Sequence, residues 1–347
     1  MSLSETYYQD AALQYYVLNG CKVPISDMQL MYINGEYEKN GEINVKQLFT
    51  TKSVKEYAEQ QLEYIDKKVN EFKEVVNLKN APKIDIGTQC FLPYTCEFKG
   101  HCWKKIAKDS YLHTNSYPDN EMFSLYNSGI QDNRSFKKLI NPLSLEMNQI
   151  DALEQDTFYI NYKTFYETIG KRTESIAFLN ILFYRPAVPI LDGHKPYQEV
   201  VLAFSILSNQ DSSVVEWNCL DDFTKMQDGL NILTEKLRHY EKVIYFSTQN
   251  INSLMQRYKI IDSKEVCFKI INMKDVLKES DFFNGKTKYD FSLKTIYEEL
   301  FPQETIFEHG RIILNATSDN ELERILVAQD LEDENKFLQK VYNRLLN

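Results

Sequence analysis

From Thr157 onward the apolar residues stop recurring at helical spacing and gather into short runs, and this change constrains the fold more than any other feature of the chain. The runs cover 158–162, 176–183, 200–207, 214–217 and 243–246. Their lengths, and their wealth of Val, Ile, Phe and Tyr, predict strands. Helical spacing returns at 223–238, 251–258 and 319–346. Strands in succession, followed by strands alternating with helices, predict an α/β (α+β) unit in which helices flank a mixed sheet.

The first half is mostly helical. Residues 11–18 predict a helix that starts almost at residue 1, with no strand or turn ahead of it, so the sequence reads as the C-terminal part of a longer polypeptide. On that reading Met1-Ser2-Leu3 is a cloning remnant. Over 53–79, Val54, Tyr57, Leu62, Ile65, Val69, Phe72 and Val76 recur among Lys and Glu, predicting a solvated amphipathic helix that Ala81-Pro82 ends. A cysteine-bearing segment, 87–103, and a polar stretch, 109–120, follow. We expect three parts: a helical, cysteine-containing part over 1–115, a helical connector over 116–155 and the sheet domain over 156–347.

Forty Lys and Arg against fifty Asp and Glu leave a net charge of -10, which argues against unaided, charge-driven binding to nucleic acid. The 11 glycines contain neither G-x-G-x-x-G nor G-x-x-x-x-G-K-[ST], so no dinucleotide fingerprint or P-loop is encoded. Gly285-Lys286-Thr287 ends like a P-loop, but Ser280 stands where its first glycine belongs, and we read a surface turn. No apolar run reaches the roughly 18 residues of a membrane span, and the N-terminus lacks the pattern of an export signal. We expect a cytoplasmic chain without a membrane partner.

Of the six cysteines, Cys21, Cys219 and Cys267 are scattered, while Cys90, Cys96 and Cys102 form one C-x5-C-x5-C segment. That distribution suits an intracellular metal site better than a disulfide framework. Three thiolates on a loop punctuated by Pro93 and Gly100 can converge on a zinc ion or on three corners of an iron-sulfur cluster, a fourth ligand coming from elsewhere. Cys21 is the nearest spare thiol. His101 ranks behind it, because it adjoins Cys102 and neighbouring residues rarely reach one metal. The alternative is three buried, reduced cysteines acting as small hydrophobes.

Tyr8-Gln9-Asp10-Ala11-Ala12-Leu13-Gln14-Tyr15, Leu30-Met31-Tyr32-Ile33-Asn34, Tyr37 and Leu48-Phe49 are followed by Gly87, Cys90, Pro93-Tyr94, Cys96, Phe98 and His101-Cys102-Trp103. Together they resemble the front half of a bacterial two-module family that is itself similar to RecB-type and CRISPR-associated iron-sulfur nucleases. Pro189-Ile190-Leu191-Asp192-Gly193-His194-Lys195-Pro196-Tyr197-Gln198, with Phe204-Ser205, resembles its back half, which is similar to DEDD-type 3'-5' exonucleases of the RNase H-like fold. For the front half the resemblance implies that the metal-binding Asp and Glu-x-Lys lie upstream of residue 1, with the cysteine that closes the cluster. The missing nuclease module would be a partner within the same polypeptide. Three of four cluster ligands then remain, which leaves free thiols or an adventitious zinc.

For the back half the resemblance implies a set of carboxylates holding two divalent metals, one activating water and one stabilising the leaving oxygen. In the register we assign, Asp-x-Glu at the end of the first strand reads Asn161-x-Lys163, and the next acid falls at Asn250. A further one falls at Asn272, with Asp275 as its neighbour. Asp333 in the last helix is retained, with Gln329 where a water-orienting Tyr belongs. Mg2+ and Mn2+ need charged oxygen ligands, which Asn does not supply, and the Lys163 ammonium would repel the ion or pair with Asp333. The chain therefore reads as a degenerate exonuclease that binds or scaffolds nucleic acid, single strands in particular, with some of its 23 Tyr and 20 Phe available for stacking.

Two alternatives stand beside this reading. One is an active exonuclease with carboxylates from another register, Asp156, Glu167, Asp275 and Asp333. The other is a structural or partner-binding protein without a nucleic-acid role, which the acidic balance favours. Taken without the resemblance, Asn161 and Lys163 are polar neighbours on a strand, and Asp333 belongs to a solvated acidic helix face. Asp192-Gly193 and Pro196-Tyr197 have the chemistry of turns.

Overall fold

The computed structural model of the chain describes residues 3–92, 94–115, 118–170, 175–247, 251–258, 270–285, 290–304 and 321–346. They divide into two compact units, Met1–Ile84 with Tyr184–Val200, and Asp85–Phe183 with Val201–Asn347. The units part at Ile84 and Asp85, so the cysteine segment falls with the connector and the sheet, whereas the sequence suggests a boundary near residue 115.

In the first unit, α1 (Glu5–Gly20) is followed by β1 (Gln29–Ile33), α2 (Val45–Leu48), β2 (Phe49–Ser53) and α3 (Lys55–Val76). Ala12 and Ala58 are fully buried where α1 and α3 meet, their short side chains allowing close approach, and Tyr15 donates a hydrogen bond to Glu59 at 3.0 Å. β1 and β2 pair antiparallel from Gln29 opposite Ser53 to Ile33 opposite Phe49. The segment 184–200 joins this unit through backbone. The Lys39 N–H donates to the His194 carbonyl at 3.0 Å, and the Gly193 N–H returns to the Lys39 carbonyl at 2.8 Å. Asp192 pairs with Lys39 and accepts from the Gly41 N–H at 3.1 Å. The expected turns are present, Gly193 and Tyr197 both adopting positive φ, +77° and +60°.

The second unit opens with a helical region: α4 (Lys99–Cys102), α5 (Asn120–Asn127), α6 (Asn133–Lys137) and α7 (Leu145–Gln155). Local chemistry starts three of these helices. Asp119, Asp132 and Ser144 occupy the N-cap positions, and each accepts from a backbone N–H three residues on. Phe91, Trp103, Tyr111, Leu112, Phe123, Phe136 and Ile150 form the core beneath them. Tyr111 stacks on Phe136 with ring centroids 3.9 Å apart and donates to the Ile130 carbonyl at 2.7 Å. Its burial pushes the phenol pKa up to about 12.

The remaining elements are β3 (Phe158–Tyr159), α8 (Tyr162–Ile169), β4 (Ile176–Tyr184), β5 (Val200–Ser208), β6 (Val214–Asn218), α9 (Met226–Leu237), β7 (Lys242–Tyr245), α10 (Ile251–Arg257), β8 (Ile270–Asn272), α11 (Met273–Glu279), β9 (Phe283–Asn284), α12 (Leu293–Leu300) and α13 (Glu321–Leu346). Among the described residues five strands form one sheet in the order β6-β5-β4-β7-β8. β5 and β6 are antiparallel, and β4, β7 and β8 are parallel. The Asn209 N–H, just past β5, donates to the carbonyl of Ile176 at the start of β4 at 3.0 Å, so these two strands run antiparallel. β5 is buried along its whole length, as a central strand covered on both faces requires. The expected α/β class with a mixed sheet is therefore observed. α9 crosses β6 so closely that a Cβ on Gly229 would meet the Trp217 ring at 2.4 Å. Among the described residues no helix is long and apolar enough to cross a membrane.

One expected strand is short. The run 158–162 contributes only two residues to β3, which pairs with β9 outside the main sheet. From Asn161 the chain turns into α8, because the Asn161 side chain accepts from the Thr164 N–H at 3.3 Å and caps the new helix. Phe165 and Ile169, four residues apart, then bury one face of α8.

Candidate functional site

β4 is the first strand of the five-stranded sheet, and alternation sends Ile176, Phe178, Asn180 and Leu182 to one of its faces. That face meets α13. Phe178 packs edge-to-face on Tyr342 with centroids 5.7 Å apart, the Asn180 carboxamide donates to Glu334, and Leu182 packs on the cluster of Ala203, Val327 and Leu331. The contacts descend α13 as they ascend β4, so strand and helix run antiparallel. Asn335, 1% exposed, fastens the helix to the next strand by donating to the Ser205 carbonyl at 2.9 Å. Burial raises the Glu216 pKa on β6 above the usual carboxylate value, the Glu332 charge adds to this, and Lys336 opposes it.

A second polar group lies where the parallel strands end. Leu179 on β4 is level with Tyr245 on β7, which is level with Asn272 on β8. Asn272 ends its strand, caps α11 by accepting from the Lys274 N–H at 3.2 Å, and donates to the Ser247 carbonyl at 2.9 Å and to Asp275 at 2.8 Å. Thr168, Tyr245, Asn272, Asp275 and Glu279 line a cavity of about 270 Å³ there. Burial, and next the Asp275 charge, push the Tyr245 phenol up to about 12.

These observations correct the register assigned from sequence. Asn161 and Lys163 do not end the first strand of the sheet. Asn161 is the cap of α8, and Lys163 is exposed on the first turn of that helix. Asp333 pairs with Lys336 at 3.3 Å, and the carboxylate that reaches β4 is the next one, Glu334. Asn272 and Asp275 are together as expected. Asn250 lies outside the described residues.

The alternative acids are not gathered: Asp156 is the left-handed cap ending α7, Glu167 is exposed on α8, and Asp275 and Asp333 are held by Asn272 and Lys336. Gln329 is exposed on α13. The missed residues had a signal. Asn180 is the one polar residue among the apolar 176–183, and Glu334 falls three residues after Leu331 and four before Leu338, on the flank of the buried helix stripe.

The chemistry where β4 meets α13 does not fit a two-metal centre. Mg2+ or Mn2+ displaces its water only for charged oxygen ligands. The strand offers a neutral carboxamide already engaged with Glu334, and two residues on an aliphatic side chain set in an apolar cluster.

The cysteines are also dispersed in character. Cys90 is buried in the aromatic core beside Phe91 and Trp103, Cys96 is half-buried, and Cys102 and Cys21 are exposed, Cys21 belonging to the first unit. Among the described residues no group of three or more His, Cys, Asp and Glu side chains is arranged to hold a metal. Cys267 lies outside them. Lys99 instead covers this core, its ammonium 4.0 Å from the Phe91 ring centroid and 5.0 Å from that of Trp103, and burial lowers its pKa. No family model, no curated protein and no solved structure matches the chain.

Proposed function

We propose that this chain is a degenerate exonuclease-like protein that takes part in nucleic-acid processing by binding or scaffolding single strands, with two-metal hydrolysis lost. The observation that carries the proposal is that β4, which we read as the first strand of an exonuclease-like sheet, carries Asn180 and Leu182 where an acid pair would stand, with Asn180 hydrogen-bonded to Glu334 of the last helix. The sheet supports the RNase H-like part of the reading: its strands, numbered from β4, lie in the order 3-2-1-4-5, with the second antiparallel to its neighbours. The neutral strand side chains Asn180 and Leu182 support the binding part, because a strand without its acid pair repels phosphate less than one that carries two bare carboxylates.

The test is paired. Mobility shift of single-stranded DNA and RNA by the full chain is expected at low salt and to weaken steeply as salt rises. Incubation with Mn2+ is expected to give no cleavage, and calorimetry no tight two-site Mn2+ binding. Asn180→Asp with Leu182→Glu is expected to create measurable Mn2+ binding that Glu334→Gln reduces. Absence of any shift at low salt removes the nucleic-acid role, and Mn2+-dependent cleavage by the unaltered chain removes the loss of catalysis.

A further inference from the structure

A larger cavity, about 520 Å³, lies among α5, α6 and α7, apart from both polar groups of the sheet. Its lining is mixed, with Met122, Leu125, Phe136, Leu139, Ile140 and Leu145 supplying the apolar part. Gln149 also lines it, is 8% exposed, and makes no side-chain hydrogen bond among the described residues. Its carboxamide opens into the cavity, where a ligand's own polar group would take the place of water.

The charge around the cavity is one-sided. Asp119, Glu121 and Glu146 line it, and no Lys, Arg or His among the described residues does. The N-termini of α5 and α7 also end there and contribute about +0.5 each, so the mouth still carries a charge of about -2. The apolar surface continues outward: Leu139 is 58% exposed and Leu143, between the lining residues Asn141 and Ser144, is 89% exposed. A small molecule held in the cavity would leave much of Leu139 in water, whereas a chain segment laid across the mouth covers it.

We propose that this cavity is the docking site for a cationic, amphipathic segment of a partner protein. One large apolar side chain enters between α5, α6 and α7, a polar group meets Gln149, and Lys or Arg residues lie against Glu121, Glu146 and Asp119. This is the helix-in-groove form of recognition, with the charge rim setting the sign of the partner.

The test uses the full chain and fluorescence anisotropy. The probe is a fluorescein-labelled peptide of about 16 residues, Leu at helical amphipathic spacing and Lys elsewhere, long enough to form a helix on binding. The same pattern built from Leu and Glu serves as the opposite-charge probe, and a Ser-for-Leu version removes the apolar face. We expect the Leu/Lys peptide to bind, the Leu/Glu peptide not to bind, and the Ser version to bind at least about tenfold more weakly. Glu121→Lys with Glu146→Lys should weaken the Leu/Lys peptide at least about tenfold. Glu63→Lys with Glu74→Lys, an equal change of charge on exposed positions of α3, should change it less than about twofold.

Equal loss in the two charge-reversed pairs would mean attraction to the acidic protein as a whole and overturns the proposal. Binding of the Leu/Glu peptide, or no binding of the Leu/Lys peptide, overturns it too. Tight binding of dodecylammonium in place of the peptide would assign the cavity to a small amphiphile instead. The probe comparison on the unaltered protein holds even if the charge-reversed variants fail to fold.

Discussion

The cavity among α5, α6 and α7 keeps three carboxylates at its mouth, whereas the β4–α13 contact presents a carboxamide and a leucine on its strand where two acids would be needed for metal. Both belong to a chain with a surplus of ten acidic charges. The difference teaches that net charge says little about where charge is available. In the helical region Asp119, Glu121 and Glu146 sit in or beside first helical turns, where they complement unsatisfied N–H groups. Where β4 meets α13 packing decides: Leu182 completes an apolar cluster, and Asn180 reaches the Glu334 carboxylate of α13.

The two regions also differ in how they are held. The helical region starts its helices with side-chain caps, while the sheet depends on pairings and packing far apart in sequence. The sharpest way to break that contrast is Phe178→Ala. Phe178 is fully buried between β4 and α13, and its loss should cost about 3–5 kcal/mol in urea unfolding. A cost under 1 kcal/mol would mean that α13 does not pack on β4 as described.

Gly229→Ala should follow at about 1–3 kcal/mol, because the new methyl collides with the rigid Trp217 ring. Thermal unfolding with Trp fluorescence reads both the loss and the displaced ring, and an unchanged melting point would contradict the close crossing of α9 over β6. Asp132→Ala should cost about 1 kcal/mol through loss of the α6 cap, with hydrogen exchange rising in α6 and not in the sheet. Exchange rising equally in both would erase the distinction between local and non-local support.

The smallest effect sharpens the electrostatic side. Glu216 holds its proton more tightly folded than unfolded, so its contribution favours folding below the unfolded pKa and is lost as pH rises through the raised folded value. At neutral pH its ionised form is a cost, and Glu216→Gln should raise the melting temperature there. The gain should shrink as pH falls toward about 4, where the native carboxyl is protonated. A variant no more stable at neutral pH would place Glu216 in water rather than beside Glu332.

Much of the secondary structure was legible in the residues. Strands 176–183, 200–207, 214–217 and 243–246 lie within a residue or two of β4, β5, β6 and β7, because unbroken β-branched and aromatic runs have no other way to bury both faces. The run 158–162 misled. Only Phe158 and Tyr159 pair as a strand, and the side-chain cap at Asn161 starts α8 at Tyr162. Asn161 and Lys163 therefore stand at the start of a helix and not on a strand. Nor does an acidic run of Asp330, Glu332, Asp333 and Glu334 say by itself that Glu334 is the carboxylate that reaches β4.

The sequence by itself determined the α/β class, the turns at Gly193 and Tyr197, and the absence of glycine-rich phosphate loops, because each rests on residues close together in the chain. Only the tertiary structure decided that Asn180 meets Glu334, that Leu182 joins the apolar cluster of α13, and that Gln149 faces a cavity lined by acidic and apolar residues. Those juxtapositions span up to 154 residues of sequence. They depend on which strand is central and on the rotation of a helix about its axis, quantities that local propensity does not encode and that packing of the whole core sets.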